Sequence, residues 1–176
     1  MFVPICLNLI WKNHSNWTRT RQLFHPHFNQ VHLSAESSDI GLHPLYLNKH
    51  LIGGTAILSF GLWASKIIPS IQDNSGYGTF SITTIQGKGY RNKSFIAAYI
   101  AVNKGSDIGT ESLYTQQCTI YESKSLKWRT SSKTFCPRIH AIKLLNQTIM
   151  ELQQKQHAII LMLDANQSLT ETLSIF

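Results

Sequence analysis

The sequence predicts a single domain of the α/β or α+β class, in which helices flank β-sheets. Strand-like segments are interleaved with helices that come late in the chain, and no segment repeats. Of the 176 residues 43% are hydrophobic, so one domain can bury a core without disulfide staples. These observations exclude a helical bundle, a solenoid and a disordered tail, and residues 1–176 are expected to form one domain.

The N-terminal part is expected to hold a strand, a short helix and a loop. Residues 1–10 are apolar but lack the basic region and cleavage site of a signal peptide, and we predict a buried strand there. Residues 15–24 carry basic and apolar side chains ahead of Pro26, which favours a short basic helix. Residues 30–49 show no clear period, which is typical of a long loop.

Three further strands are predicted in the middle of the chain. Residues 53–62, with the sequence GGTAILSFGL, enter a strand from a Gly-Gly turn. Strands are also expected at residues 77–85 and 93–102, because both segments are rich in β-branched and aromatic side chains. The glycines of residues 86–92 indicate that these two strands form a hairpin.

A first C-terminal helix is predicted to begin near Thr110 and to end near Tyr121. Thr110 can cap the helix, and Glu111 sits favourably at the positive end of the helix dipole. Residues 123–133 are basic and rich in serine, and we predict a loop there.

Pro137 is predicted to open the longest helix, which Lys155 and His157 close. Its apolar residues recur at spacings of three, four and three, so one face of the helix belongs to the core. These residues are Ile142, Leu145, Ile149 and Leu152. Residues 158–163, AIILML, form a short apolar run of the kind expected for a strand buried on both faces.

Charge and cysteine content limit the partners and the compartment. Only 14% of residues are charged, and the net charge of +7 favours an anionic partner such as nucleic acid. Cys6, Cys118 and Cys136 form no CxxC pair, which favours a reducing compartment and no disulfide partner. No stretch reaches the roughly 18 apolar residues of a membrane span, so a soluble protein is expected. Since residues 1–10 lack the features of a signal peptide and the cysteines favour a reducing compartment, the protein is expected to be intracellular, nuclear or cytoplasmic, and not secreted.

The polar pair Asp164 and Asn166 ends the last predicted strand. If the extended conformation continues, both side chains project from the same face. A carboxylate can then bind a metal or orient a water, while the amide donates hydrogen bonds to a phosphate oxygen. The alternative is that Asp and Asn are here because both residues favour turns at strand ends.

Several short segments, from about Trp11 to Asn166, resemble the endonuclease/exonuclease/phosphatase superfamily, which has the DNase I-like fold. The resemblance is strongest to the endonuclease domain of non-LTR retrotransposon reverse-transcriptase polyproteins. The segments are GGT at 53–55, AAYIAVN at 97–103, QQ at 116–117, CPR at 136–138 and LMLDAN at 161–166. The resemblance implies a partial DNase I-like two-sheet sandwich that hydrolyses DNA phosphodiesters with Mg²⁺ or Mn²⁺.

The resemblance assigns roles to five residues. Asp164 matches the aspartate that orients or activates the attacking water and is the implied metal ligand, and Asn166 matches an asparagine that contacts the scissile phosphate. The hydroxyl of Tyr99 is implied to hold the phosphate, although an aromatic core residue is the alternative. Asn103 and Arg138 are implied to bind phosphate, and for Arg138 a solvated position in the first helical turn is the alternative.

The chain also departs from the family pattern. Cys6 stands where the metal-binding glutamate belongs, and a neutral thiol cannot replace a hard oxygen ligand for Mg²⁺. The closing Ser-Asp-His motif is not found, and Ile100 and Gln167 replace charged residues. Three hypotheses remain: a nuclease, a truncated non-catalytic relic or weak nucleic-acid-binding module, and a phosphatase of the same fold.

Overall fold

The computed structural model describes residues 2–5, 22, 26, 30–37, 53–73, 75–102, 112–128 and 135–166, and it contains two β-sheets and two long helices. The strands are β1 Phe2–Ile5, β2 Val31–Ser37, β3 Gly54–Phe60, β4 Ile67–Ile68, β5 Phe80–Ile85, β6 Lys93–Tyr99 and β7 Ala158–Asp164. The helices are α1 Leu113–Trp128 and α2 Pro137–Gln154, and short 3₁₀ turns occupy Gly61–Lys66 and Lys88–Tyr90. The predicted mixture of helices and sheets is confirmed.

The two sheets lie face to face. In the first sheet the strand order is β1-β3-β2, and both pairings are antiparallel. In the second sheet the order is β4-β5-β6-β7, with antiparallel pairs except for β6 and β7, which are parallel. Strands β2 and β3 contact β5 across the sandwich. Since parallel neighbours need a crossover, the chain between β6 and β7 passes through both helices.

Most of the predicted central elements are confirmed. Strands β3, β5 and β6 form within the predicted segments, and β5 and β6 pair as the expected hairpin. The chain enters β3 through Gly53, whose φ of 107° favours glycine. Of the predicted N-terminal strand, Phe2–Ile5 is confirmed, while residues 6–10 and almost all of the predicted basic helix lie outside the described residues.

The prediction of a loop at residues 30–49 is wrong for its first part, because Val31–Ser37 is strand β2. In β2, Val31 and Leu33 pack beside Leu58 and Phe60 in a hydrophobic cluster. The alternate residue Ser34 donates its Oγ proton to the carbonyl oxygen of Ile82 in the other sheet, at 2.8 Å. Among the polar residues of β2, Ser34 is thus held by a partner in the opposite sheet.

Helix α1 is displaced from the predicted helix at both ends. Its first residue is Leu113, and the Oγ of Ser112 accepts the backbone N–H of Thr115 at 3.2 Å, so Ser112 is the cap instead of Thr110. The helix continues to Trp128, so the prediction of a loop from residue 123 is wrong up to that residue. No glycine or proline interrupts the sequence between these ends, so nothing in the backbone stops the helix earlier.

Helix α2 covers one face of the second sheet, as its apolar spacing predicted. Leu145 and Leu152 are fully buried against Phe80, Ile82 and Ile96. Partly buried side chains of α2 and β7 complete the cluster; among them are Leu144, Ile149, Ile159, Leu161 and Leu163. This layer of α2 on the sheet is the main apolar core of the described domain.

Strand β7 is not buried on both faces, contrary to the prediction. Its alternate residues Ile159, Leu161 and Leu163 pack on the core below α2. On the opposite face Ile160 is 46% exposed, and Ala158 is exposed as well. The first sheet stacks chiefly on β5 and β6, and β7 lies at the end of the described strand order, so one face of β7 is left open.

Hydroxyl groups, and not only apolar side chains, fill the layer between the two sheets. The Oγ1 of Thr55 lies 2.9 Å from the Oγ of Ser81, which itself donates to the carbonyl oxygen of Thr55. Thr83 projects from the same face of β5 as Ser81, but its buried Oγ1 has no hydrogen-bond partner. A buried hydroxyl without a partner costs free energy in the folded state.

Thr83→Val is therefore expected to raise the free energy of unfolding by about 1 kcal/mol, because it replaces an unsatisfied hydroxyl by a methyl group of similar shape. Urea denaturation followed by circular dichroism measures the change. The matched control is Thr84→Val, which removes a hydroxyl that lies 3.0 Å from the Oγ of Ser94. The control is expected to lose about 1 kcal/mol, and equal effects of the two variants would contradict the assignment.

A histidine joins the starts of β6 and β7. The Nδ1 of His157 lies 2.8 Å from the Oγ of Ser94, and its Nε2 lies 3.3 Å from the Nδ2 of Asn92. Burial, with a smaller contribution from the positive charge of Lys155, lowers the pKa of His157 below its ordinary value of 6.5. The folded protein therefore favours the neutral imidazole.

This lowered pKa predicts a pH-dependent stability. The unfolded chain protonates His157 near pH 6.5, whereas the folded chain does so only at lower pH. The stability from neutral His157 is thus fully present above pH 6.5 and is lost as pH falls through 6.5 towards the folded pKa. Urea denaturation at pH 7.5 and 5.5 should show a larger loss for wild type than for His157→Gln. Equal losses would count against this role of His157.

Candidate functional site

The carboxyl ends of β6 and β7 bring together two residues that the sequence singled out. Tyr99 and Asp164 are register partners and are the last residues of these parallel strands. The N–H of Ile100 donates to the carbonyl oxygen of Asp164 at 2.9 Å, which fixes the two chain ends side by side. Asp164 is exposed and Tyr99 is partly exposed. In open α/β sheets, ligands bind outside the carboxyl ends of the parallel strands. Tyr99 and Asp164 lie at such strand ends.

Asn166 does not continue the strand, so the expected projection of Asp164 and Asn166 from one extended face is wrong. Asn166 has a φ of 49°, the left-handed conformation that asparagine tolerates better than most residues. Its N–H points to the Oδ1 of Asp164 at 3.3 Å, and its Nδ2 donates to the carbonyl oxygen of Ile100 at 2.8 Å. The side-chain amide therefore ties the turn after β7 to the end of β6.

Arg138, like Asn166, holds the ends of β6 and β7 together. It stands in the first turn of α2, is 8% exposed, and is therefore not the solvated arginine that was one alternative. Its Nη1 donates to the carbonyl oxygen of Ala101 and its Nη2 to that of Ala165, both at 2.9 Å. The guanidinium thus holds the chain just beyond β6 and just beyond β7. We call these contacts of Arg138 the arginine clamp.

Other predicted site residues lie outside the described part of the chain. Asn103, the second implied phosphate ligand, is one of them, and so are Cys6 and Gln167 at the positions where the family pattern carries charged residues. The described site therefore consists of Tyr99 and Asp164 with Asn166 and Arg138 behind them.

Two supporting residues were not found from the sequence. The carbonyl oxygen of Thr79 accepts the N–H of Tyr99 at 3.0 Å, which extends the pairing of β5 to the site. The carboxylate of Asp73 in turn accepts the N–H of Thr79 at 3.0 Å and that of Ser75 at 2.9 Å. The Asp-x-Ser spacing is typical of a turn in which the aspartate bonds the backbone two residues on, and this signal could have identified Asp73.

The described residues give a divalent metal one candidate ligand. Mg²⁺ commonly takes one or two carboxylates together with phosphate oxygens and waters, and the exposed carboxylate of Asp164 suits that role. No group of three or more His, Cys, Asp or Glu in the described ranges could hold a metal ion. Among the described residues at this edge, Asp164 is the carboxylate that could bind Mg²⁺ or Mn²⁺.

Two further features bear on partners. Among the described helices none combines the length and the apolar character that crossing a membrane requires. Neither Cys118 nor Cys136 forms a disulfide with another described residue, and Cys6 lies outside the described residues.

The described residues form a mixed α/β domain with two stacked sheets. In it a tyrosine and an aspartate lie side by side at the carboxyl ends of two parallel strands. Comparison of the chain with protein-family models, with curated proteins and with solved structures found no match.

Proposed function

We propose that the chain is a DNA phosphodiesterase of the endonuclease type, with a DNase I-like sandwich and a site at the ends of β6 and β7. One observation carries the proposal. The AAY and DAN segments, which the resemblance assigns to one active site, lie far apart in the sequence, and the residues Tyr99 and Asp164 are register partners in the structure. The net charge of +7 supports an anionic substrate.

The proposed roles follow from the chemistry of the two side chains. The phenol of Tyr99 can donate a hydrogen bond to a phosphate oxygen without adding negative charge. The exposed carboxylate of Asp164 can orient a water for attack and accept its proton. A divalent cation beside Asp164 would neutralise part of the charge of the phosphate. Asn166 and Arg138 hold the two strand ends in place through their bonds to backbone carbonyls.

Asp164→Asn is expected to lower the rate of plasmid nicking by at least about 100-fold, the range of a lost general acid or base. The amide keeps an oxygen that can accept the N–H of Asn166, so the turn can persist while the charge is lost. The assay is conversion of supercoiled to open-circular DNA with Mg²⁺ or Mn²⁺, with melting temperatures measured in parallel.

Glu122→Gln is the matched control, because it removes a carboxylate from an exposed position on α1. The control should nick DNA at the wild-type rate. Equal rates for wild type and Asp164→Asn, or phosphate release from monoesters without nicking, would contradict the proposal. The second result would favour a phosphatase of the same fold.

A non-catalytic DNA-binding module is the second candidate function. The observation that favours it is that Arg138 and Asn166, expected to contact phosphate, bond to backbone carbonyls, while the described residues hold no metal-ligand cluster. This candidate predicts DNA binding that weakens steeply with salt, and no nicking above the Asp164→Asn background. Fluorescence anisotropy with a labelled duplex from 50 to 200 mM salt separates it from the nuclease.

A further inference from the structure

A cavity of about 460 Å³ lies between α2 and the segment that leads into β5, away from the β6–β7 edge. Phe80, Ile71 and Leu144 give it apolar walls, and the rings of Tyr77, Tyr121 and His140 also line it. Pockets that bind small molecules typically measure about 300–1,000 Å³ and combine apolar walls with few polar groups. The cavity therefore has the size and lining of a small-ligand site.

The aromatic wall of the cavity is held in place by stacking. The ring of Tyr121 is parallel to that of Phe135, with centroids 4.0 Å apart and an interplanar angle of 4°. Tyr77 stacks on Phe135 at 5.7 Å and meets the edge of His140 at 5.2 Å. These contacts fix the orientation of the rings, so little ordering is needed when a ligand binds.

The polar lining of the cavity contains two carboxylates among neutral amide and hydroxyl side chains. The side chain of Asp73 is 4% exposed, and its two oxygens accept only backbone N–H groups, from Ser75 and Thr79. Glu151 adds a second carboxylate at the exposed rim, and no lysine or arginine occurs among the described lining residues. The carboxylate of Asp73 is thus stabilised by backbone N–H groups, and no described lysine or arginine of the lining neutralises its charge.

The ring of Tyr77 remains neutral beside these carboxylates. Burial raises the pKa of Tyr77 to about 12, with smaller contributions from Tyr121, Cys118 and Asp73. Its phenol is therefore protonated at physiological pH and adds no charge to the cavity. A neutral phenol presents an electron-rich ring, which attracts a cation over its face.

We propose that this cavity binds the cationic head of a small organic molecule, an ammonium or a guanidinium. Asp73 and Glu151 supply the opposite charge, and Tyr77 and Tyr121 supply aromatic surface. An organic cation suits the site better than a metal ion, because six of the twelve described lining residues carry rings or apolar side chains. The cavity shares no residue with Tyr99, Asp164 or the arginine clamp, although Asp73, through Thr79, also supports the backbone at Tyr99.

The test is titration calorimetry with three probes. Choline represents an ammonium head, agmatine a guanidinium head, and 3,3-dimethylbutan-1-ol is the neutral isostere of choline. At least one cation is expected to bind saturably and at least about 10-fold more tightly than the neutral isostere. The tighter of the two cations identifies the head group. Failure of both cations to bind, or binding of neither cation more tightly than the isostere, overturns the proposal.

Variants locate the binding in the cavity. Asp73→Asn is expected to weaken the preferred cation by about 10-fold, and Tyr121→Leu by about 5-fold. Since Asp73 also holds the turn to Thr79, Glu151→Gln provides a variant at the exposed rim, with an expected loss of about 2-fold. Glu122→Gln is the control outside the cavity and should bind as wild type does. Wild-type affinity in Asp73→Asn and Tyr121→Leu would overturn the assignment.

Discussion

Replacing Arg138 by methionine is expected to lower the free energy of unfolding by about 2–4 kcal/mol. The substitution keeps the apolar stem of the side chain but removes both donors of the arginine clamp. The carbonyl oxygens of Ala101 and Ala165 would then lose a charged donor. The loss falls at a buried position, since Arg138 is only 8% exposed in the wild type. Leaving such acceptors without partners costs more than the net value of the bonds themselves.

Guanidinium chloride denaturation measures this loss, and nicking or DNA binding can be followed in the same samples under native conditions. Arg91→Met is the matched control, because Arg91 is exposed at the end of the hairpin turn. It should change stability by less than about 0.5 kcal/mol. A similar small change for Arg138→Met would show that the clamp does not hold the strand ends.

Truncation of Leu145 to alanine is expected to destabilise the domain by about 2–5 kcal/mol. Leu145 is 0% exposed and packs with Phe80, Ile82 and Ile96 between α2 and the second sheet. Removing its side chain loses apolar burial and leaves a cavity in a layer that helix and sheet hold rigid. The cost is large because this layer is the main core of the described domain.

Met150→Ala tests the same helix on its solvent side. Met150 is 58% exposed, so its truncation should cost less than about 0.5 kcal/mol. Thermal unfolding of the two variants beside wild type gives the comparison. If Leu145→Ala and Met150→Ala had the same melting temperature, the burial of Leu145 between α2 and the sheet would be contradicted.

The central sheet and α2 could be predicted from the sequence because their patterns are strong. Strand β5 is bounded by glycines and is rich in β-branched residues, and α2 repeats its apolar positions at helical spacing after Pro137. Strand β2 was missed although its apolar residues Val31, Leu33 and Ala35 alternate with polar ones, which is the period of a half-buried strand. The polar and turn-forming residues that overlap and follow it, SAESSD with a glycine and a proline, favour a loop and mask this signal. The hydrogen bond of Ser34 to the other sheet is a tertiary contact that no local pattern reveals.

Part of the candidate site could also be predicted from local sequence patterns. Tyr99 and Asp164 stood out because each ends an apolar run that predicts a strand, and their segments resemble one family. The contacts of Arg138 could not be predicted, since its acceptors are backbone carbonyls at distant positions in the chain. Backbone carbonyls occur at every residue, so composition and spacing carry no signal for them.

The parallel pairing of β6 with β7 also affects the order of folding. The hairpin of β5 and β6 can form from neighbouring residues, whereas Tyr99 meets Asp164 only after the chain containing both helices has crossed the sheet. Closing such a long loop slows contact formation, so the pair belongs to the late steps. The amide of Ile100, which donates to Asp164, should therefore gain hydrogen-exchange protection after the β5–β6 amides do. In a nascent or partly folded chain, Tyr99 and Asp164 are therefore not yet side by side.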